Sequence, residues 1–205
     1  WTKNYLLKQS RLKNKKKIVI GYINDSLEIY KKVSPDVMNF YDNFINKINK
    51  KFQTKLINGK IFKNFHYYYD ILYNKSLSYY IKNYTINKKN ISKNLIKIIN
   101  KGECISQKEY NEALKQITII KKKIKILMGK FDYIIIPSTF SRAPLKNNLE
   151  IDDTCLIWTT LGFPCLNMPF KFFKDKLPFG LMLVSNEFND FALLDFAKKM
   201  KNSNN

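Results

Sequence analysis

The segment IWTTLGFPCLNMPFKFFKDKLPFGLMLV, residues 157–184, constrains this chain more than any other. It holds three of the six prolines and two of the six glycines of a 205-residue chain otherwise rich in lysine, asparagine, isoleucine and tyrosine. Proline fixes φ and removes a backbone donor, so Pro164 and Pro169 delimit a short strand rather than sitting inside a central one. Gly162 gives the backbone room for a close turn. KDKLP then reads as a turn, and residues 177–185 as a second strand.

The rest alternates between strand and helix patterns. Residues 18–23, IVIGYI, form a short β-branched run and predict a buried strand. Ser34, Pro35 and Asp36 give a helix start: a capping hydroxyl, a proline in the first turn, and an acid against the dipole. Val37, Met38, Tyr41, Phe44, Ile45, Ile48 and Phe52 then recur at helical spacing. Asn58 and Gly59 mark a turn. Residues 60–100 are aromatic, lysine-rich and read as helical. Ser106 and Glu109 stand at capping-box spacing, predicting a helix from Gln107 to about Met128, with Gly129 placed to end it. Residues 133–136 predict a buried strand that Pro137 ends. Residues 189–201 close the chain as an amphipathic helix. This alternation predicts an α/β fold, a mixed β-sheet core flanked by helices. The expected organisation is one domain over residues 1–205, with residues 1–16 a basic lead-in and 201–205 a tail.

Charge and cysteine content narrow the function classes. Thirty-seven basic against 16 acidic residues give a net charge of +21. Such a charge attracts nucleic acid or a membrane face. The lysines are scattered, however, among other residues with A/T-rich codons, and compositional drift accounts for that pattern, so nucleic acid is not the expected partner. Cys104, Cys155 and Cys165 form no CxxC pair, and the reading is a reduced, cytoplasmic chain. Buried packing is the expected role of Cys155 and Cys165. The lone His66 reads as a packing residue, and no metal or cofactor is expected. Tyr67, Tyr68 and Tyr69 could stack on bases, though helix packing explains them equally well. No apolar run crosses a bilayer.

The second half resembles the amidase signature family, hydrolases of carboxamide C–N bonds. Phe131, Asp132, Pro137, Ser138 and Thr139 match its strand-and-turn piece. Trp158, Thr159, Gly162, Pro164 and Pro169 match its WT-x-x-G-x-P piece, and Leu177, Pro178 and Gly180 its L-P-x-G piece. Lys176 and Met182 replace the usual glycine and glutamine. The first half is similar too, in VSPDV and in ISQKEYNEAL. The resemblance spans about Lys17 to Met200. It implies a substrate cleft for a small amide, walled by the loops after residue 137 and around residues 152–160. Ser138, Thr139, Phe140, Asp153 and Trp158 are the candidate pocket residues. For Trp158 a core role is an equal reading, and for Asp153 so is a cap.

The resemblance also implies a Ser–Ser–Lys triad on a turn of the type GGSSGGS, whose backbone N–H groups stabilise an oxyanion. None of the six glycines adjoins another, and no two serines are adjacent. No catalytic residue is therefore assigned to this chain. The expectation is the carboxyl-terminal portion of an amidase, partnered by the missing amino-terminal half. Two other readings stand beside it: the glutaminase-type A subunit of a tRNA-dependent amidotransferase, and a basic nucleic-acid-binding protein without enzymatic activity.

Overall fold

The computed structural model describes residues 17–23, 33–84, 91–145, 154–172 and 177–202. The chain packs as two compact units, residues 1–61 with 124–205, and residues 62–123. The first is built on a five-stranded mixed sheet in the order β2-β1-β3-β5-β4. Its strands are β1 (Val19–Tyr22), β2 (Gln53–Leu56), β3 (Tyr133–Pro137), β4 (Cys165–Phe172) and β5 (Pro178–Ser185). β1 runs parallel to β2 and β3, while β5 runs antiparallel to both β3 and β4.

The sequence explains this order. All five β3 residues are buried, as a continuous apolar run in a central strand requires. Asp132 ties the start of β3 to β1 in both directions. Its N–H donates to Val19 O at 2.8 Å, and its Oδ2 accepts from Val19 N at 3.0 Å. The β1 register against β3 ends at Ile135, so Pro137 sits where no parallel ladder bond is required of it. β4 runs through Pro169 to Phe172, further than a strand closed by Pro169. Its register against β5 slips between Pro169 and Lys171, the bulge that lets an edge strand carry a proline.

Helix α1 (Pro35–Ile48) buries Val37, Tyr41, Phe44, Ile45 and Ile48 on one stripe. Phe52 falls beyond its end, in the turn that leads to β2, a strand that helical spacing conceals. Tyr41 is fully buried: its hydroxyl donates to Ile135 O at 2.7 Å and accepts from Ile23 N at 3.1 Å. One phenol thus satisfies two backbone groups the core would otherwise strand. Helix α6 (Asp190–Asn202) lays Phe196 flat on Tyr133, centroids 4.0 Å apart, and the Tyr133 hydroxyl donates to Ala192 O.

The second unit pairs helix α2 (Phe65–Tyr84) with α3 (Lys93–Cys104), followed by the early turns of α4 (Gln107–Met128). A Cβ at Gly102 would stand 2.5 Å from Ser78 Cβ, so glycine sets how closely these helices cross. Ser78 donates to Ile99 O at 3.2 Å across the same contact. Tyr69 stacks on Phe65 and Tyr73 along α2, which gives that ring a packing role. Tyr67 remains exposed, edge-on to Tyr68. The capping box forms as spaced: Glu109 N donates to Ser106 Oγ, and Glu109 Oε2 accepts from Ser106 N at 2.8 Å. Ala113, Ile117, Ile120, Ile124 and Met128 make the buried stripe of α4. No helix among the described residues is long and apolar enough to cross a membrane.

Candidate functional site

Three of the candidate residues, Ser138, Thr139 and Phe140, follow directly on the end of β3. Ser138 continues the β3–β5 pairing by one residue: its N–H and its hydroxyl both donate to Gly180 O, at 3.2 and 2.6 Å. On its other side Gly180 is approached closely by β4. A Cβ there would stand 2.8 Å from Met168 O and 3.2 Å from Asn167 Cγ. Thr139 donates its hydroxyl to Ser141 O at 2.9 Å, and Ser141 donates to Arg142 O at 3.0 Å. Phe140 is 2% exposed, and its carbonyl accepts from Ser34 N at 2.7 Å. The loop therefore turns one ring inward and keeps Ser138 and Thr139 half-buried.

A second segment is clasped to this loop. Thr154, 1% exposed, donates its hydroxyl to Pro137 O, a short hydrogen bond between the segment entering α5 (Leu156–Leu161) and the end of β3. Pro137 O thus has a donor from a side chain. Helix α5 was not evident from sequence because its six residues are too short for a period to register. It ends on Gly162 at φ 72°, a left-handed conformation that side chains resist. Phe163 N then donates to Trp158 O, which closes the cap. Trp158 is fully buried, edge-on to Phe163 at 6.2 Å. Both WTTLG and the proline after it are thus explained by a helix stop feeding directly into β4. Asp153 lies outside the described residues.

The loop is also anchored to the start of α1. Arg142 donates from Nε and from a terminal nitrogen to Asp36 Oδ2, each at 2.7 Å. Asp36 Oδ1 accepts from Ser34 Oγ at 2.6 Å and from Val37 N at 3.0 Å. Ser34 makes no side-chain cap bond itself; its hydroxyl is spent on Asp36, which takes over the capping. The Ser34 hydroxyl and the Arg142 guanidinium hold the Asp36 carboxyl below the usual carboxylate range, against an opposing effect of burial.

Sequence reasoning missed Thr154, Arg142 and the Asp36 carboxylate as parts of this site. One signal was present: the chain has only two arginines, Arg11 and Arg142, among 37 basic residues. An arginine kept amid lysines points to a planar, two-bond partner.

The chemistry available is binding rather than attack. Among the described residues, Ser138 and Thr139 spend their hydroxyl protons on backbone carbonyls, with no base as partner. Each still offers oxygen lone pairs, which suit the N–H groups of a carboxamide. Cys165 is exposed on the edge strand rather than packed inside, while its sulfur donates to Phe163 O at 3.4 Å. Desolvation, with Cys155 adding to it, pushes the thiol up to about 12, far from a thiolate nucleophile at neutral pH. Among the described residues, no group of three or more His, Cys, Asp or Glu could hold a metal ion.

Comparison with known proteins agrees with this architecture. The curated relatives include the A subunit of glutamyl-tRNA(Gln) amidotransferase from Borreliella afzelii (strain PKo), 27% identical over 109 residues, covering 48% of this chain and 22% of that one. Its counterpart from Brevibacillus brevis is 31% identical over 98 residues, covering 43% and 20%. Among solved structures, an amidase superposes with a TM-score of 0.79 at 16% identity, covering 94% of this chain and 47% of that one. A 6-aminohexanoate cyclic dimer hydrolase gives 0.74 at 10%, covering 93% and 46%. These low identities establish a shared fold, and the chain spans under half the length of those solved relatives. The Amidase family model matches residues 2–194, nearly the whole sequence. With the motif pieces lying in order on one sheet and its loops, the chain belongs to the amidase family.

Proposed function

We propose that this polypeptide forms part of the wall of an amide-binding cleft in a hydrolase that cleaves a carboxamide C–N bond. Ser138 and Thr139 present acceptor oxygens to the substrate, and Phe140 and Trp158 brace the wall from behind. The single observation that carries this reading is the Thr154 clasp onto Pro137 O, which joins the two loops that the family's motifs mark. The nucleophile, relay serine and base are supplied by polypeptide other than these 205 residues, since the sequence has no adjacent serines and no adjacent glycines.

A second reading has its own support. The curated relatives above are A subunits of a tRNA-dependent amidotransferase. On that reading the amide is glutamine, and partner subunits take up the ammonia. Ammonia release separates the two. The 205-residue chain alone is expected to release none from glutamine or from benzamide. The polypeptide translated from the continuous reading frame containing these residues is expected to release ammonia, sensitive to a serine-directed reagent. Release from benzamide favours the general hydrolase; release from glutamine only, raised by copurifying subunits, favours the second reading. No release from either amide by the longer polypeptide would contradict both.

A further inference from the structure

Within the second unit, helix α2 carries little charge and turns all of it one way. Three of its twenty residues are charged, Asp70, Lys75 and Lys82, in a chain where 26% are. Each of the three is engaged with α3. Lys101 Nζ stands 3.7 Å from Asp70 Oδ2, and Lys82 Nζ 2.6 Å from Glu103 Oε1. Lys75 Nζ donates to the carbonyl of Ile105, the residue that caps the end of α3. Asn74 and Ser78, both buried, lie on the same side, against Gly102. At 3.6 residues per turn, Tyr69, Tyr73, Ser76 and Tyr80 stand about 140–180° round the helix from Ser78. They form a stripe that faces away from α3 and holds no charge. Tyr73 is 43% exposed, Tyr80 60% and Tyr79, at the edge of the stripe, 61%. Tyr69 stacks on Tyr73 at 5.6 Å, and Tyr79 sets its ring edge-on to Tyr80 at 6.0 Å.

Charge decides between occupants. A nucleic-acid backbone or an anionic membrane calls for cations on the face, and both lysines of α2 are bonded to α3 instead. A second copy would bring together two chains of net charge +21. Tyrosine without lysine is the composition of a contact between polypeptides. The exposed parts of Tyr73, Tyr79 and Tyr80 amount to about 300 Å², the size at which an apolar patch marks such a contact. We propose that this stripe packs against further polypeptide of the amidase fold, an uncharged surface that takes up the rings and hydrogen-bonds their hydroxyls. The proposal rests on the reading that polypeptide other than these 205 residues supplies the nucleophile. The amidase that superposes on 94% of this chain is matched over 47% of its own length, so that fold holds as much polypeptide again to lie against such a face.

Nitration by tetranitromethane reads the exposure of each ring, with the modified tyrosines located by tandem mass spectrometry. It is run on the 205-residue chain and on the polypeptide translated from the continuous reading frame containing these residues. Tyr73 and Tyr80 are expected to react at least fivefold more slowly in the longer polypeptide. Tyr67, 62% exposed and about 20° round the helix from Ser78, lies off the stripe and serves as the reference, expected to change less than twofold. A double variant, Tyr73→Gln with Tyr80→Gln, is expected to leave the melting temperature of the 205-residue chain within about 1 °C and to lower that of the longer polypeptide by several degrees. Equal nitration rates in the two polypeptides would overturn the proposal. So would slowing in the 205-residue chain that grows with its concentration, which identifies a second copy; slowing only when RNA is added; or equal slowing at Tyr67. Nitration needs no turnover. Protection without ammonia release keeps the stripe and removes the hydrolase reading, and ammonia release without protection does the reverse.

Discussion

Replacing Gly180 with alanine tests whether the cleft wall is held by backbone contact at the β4–β5 hairpin. The added methyl group would meet Met168 O at 2.8 Å, and the Asn167 side-chain oxygen more closely still. Asn167 is exposed, so its amide can turn away. Met168 O is backbone within the hairpin, and reaching ordinary contact requires a shift of about 0.6 Å. Overpacking of this kind costs about 1–3 kcal/mol. A less flexible unfolded chain offsets about 0.4–1 kcal/mol. The net loss is about 1–2 kcal/mol, which for a chain of this size lowers the melting temperature by about 2–8 °C. Thermal unfolding followed by circular dichroism reads this directly, with Gly129→Ala as the control. A Cβ at Gly129 comes within 3.3 Å of Ile126 O, a milder crowding than at Gly180, so that variant should lose less stability. If Gly180→Ala melts at or above the wild-type temperature, the close approach of β4 to Gly180 does not constrain the hairpin, and the reasoning fails.

Two further substitutions probe the first unit. Tyr41→Phe removes the phenol shared by Ile135 O and Ile23 N, leaving two buried backbone groups without that partner; the expected loss is about 1–3 kcal/mol in urea unfolding, and a neutral result would contradict the assigned bonds. Asp36→Asn should cost about 1 kcal/mol at neutral pH, since the carboxylate caps α1 and holds Arg142. Because the folded-state pKa of Asp36 lies below the ordinary aspartate value of 3.8, the stability it contributes is present above that pH. It is lost as pH falls through the lower, folded value. The difference between wild type and Asp36→Asn should therefore hold from pH 7 to 5 and close on acidification below about 3.8, and a difference constant down to pH 2 would count against the linkage.

Much of the fold was legible because period and punctuation agreed. The Gln107–Met128 helix followed from a capping box and a trailing glycine. β3 followed from an unbroken apolar run closed by proline. What stayed hidden was short or long-range. β2, QTKL, has no buried pattern of its own and forms a strand because Val19 pairs with Gln53. α5 is held by Gly162 at its end rather than by any amphipathic period. The site was legible in part. Ser138, Thr139 and Phe140 were named through the resemblance to the family's motifs, not through any local pattern. The Thr154 clasp and the Asp36–Arg142 pair join positions 17 and 106 residues apart, and no local pattern reports such a bond.

The central claim is that the loops after β3 and around α5 face an amide substrate, and photolabelling tests it most directly. A benzamide carrying a diazirine is irradiated with the polypeptide translated from the reading frame that contains these residues, and tryptic peptides are mapped by mass spectrometry. Cleavage after Lys130 and Arg142 releases residues 131–142, with Ser138, Thr139 and Phe140; cleavage after Lys146 and Lys171 releases residues 147–171, with Asp153 and Trp158. Label on either peptide, competed by unlabelled benzamide or glutamine, is the expected result. Competable label that falls only on other peptides would show that these loops do not line the cleft.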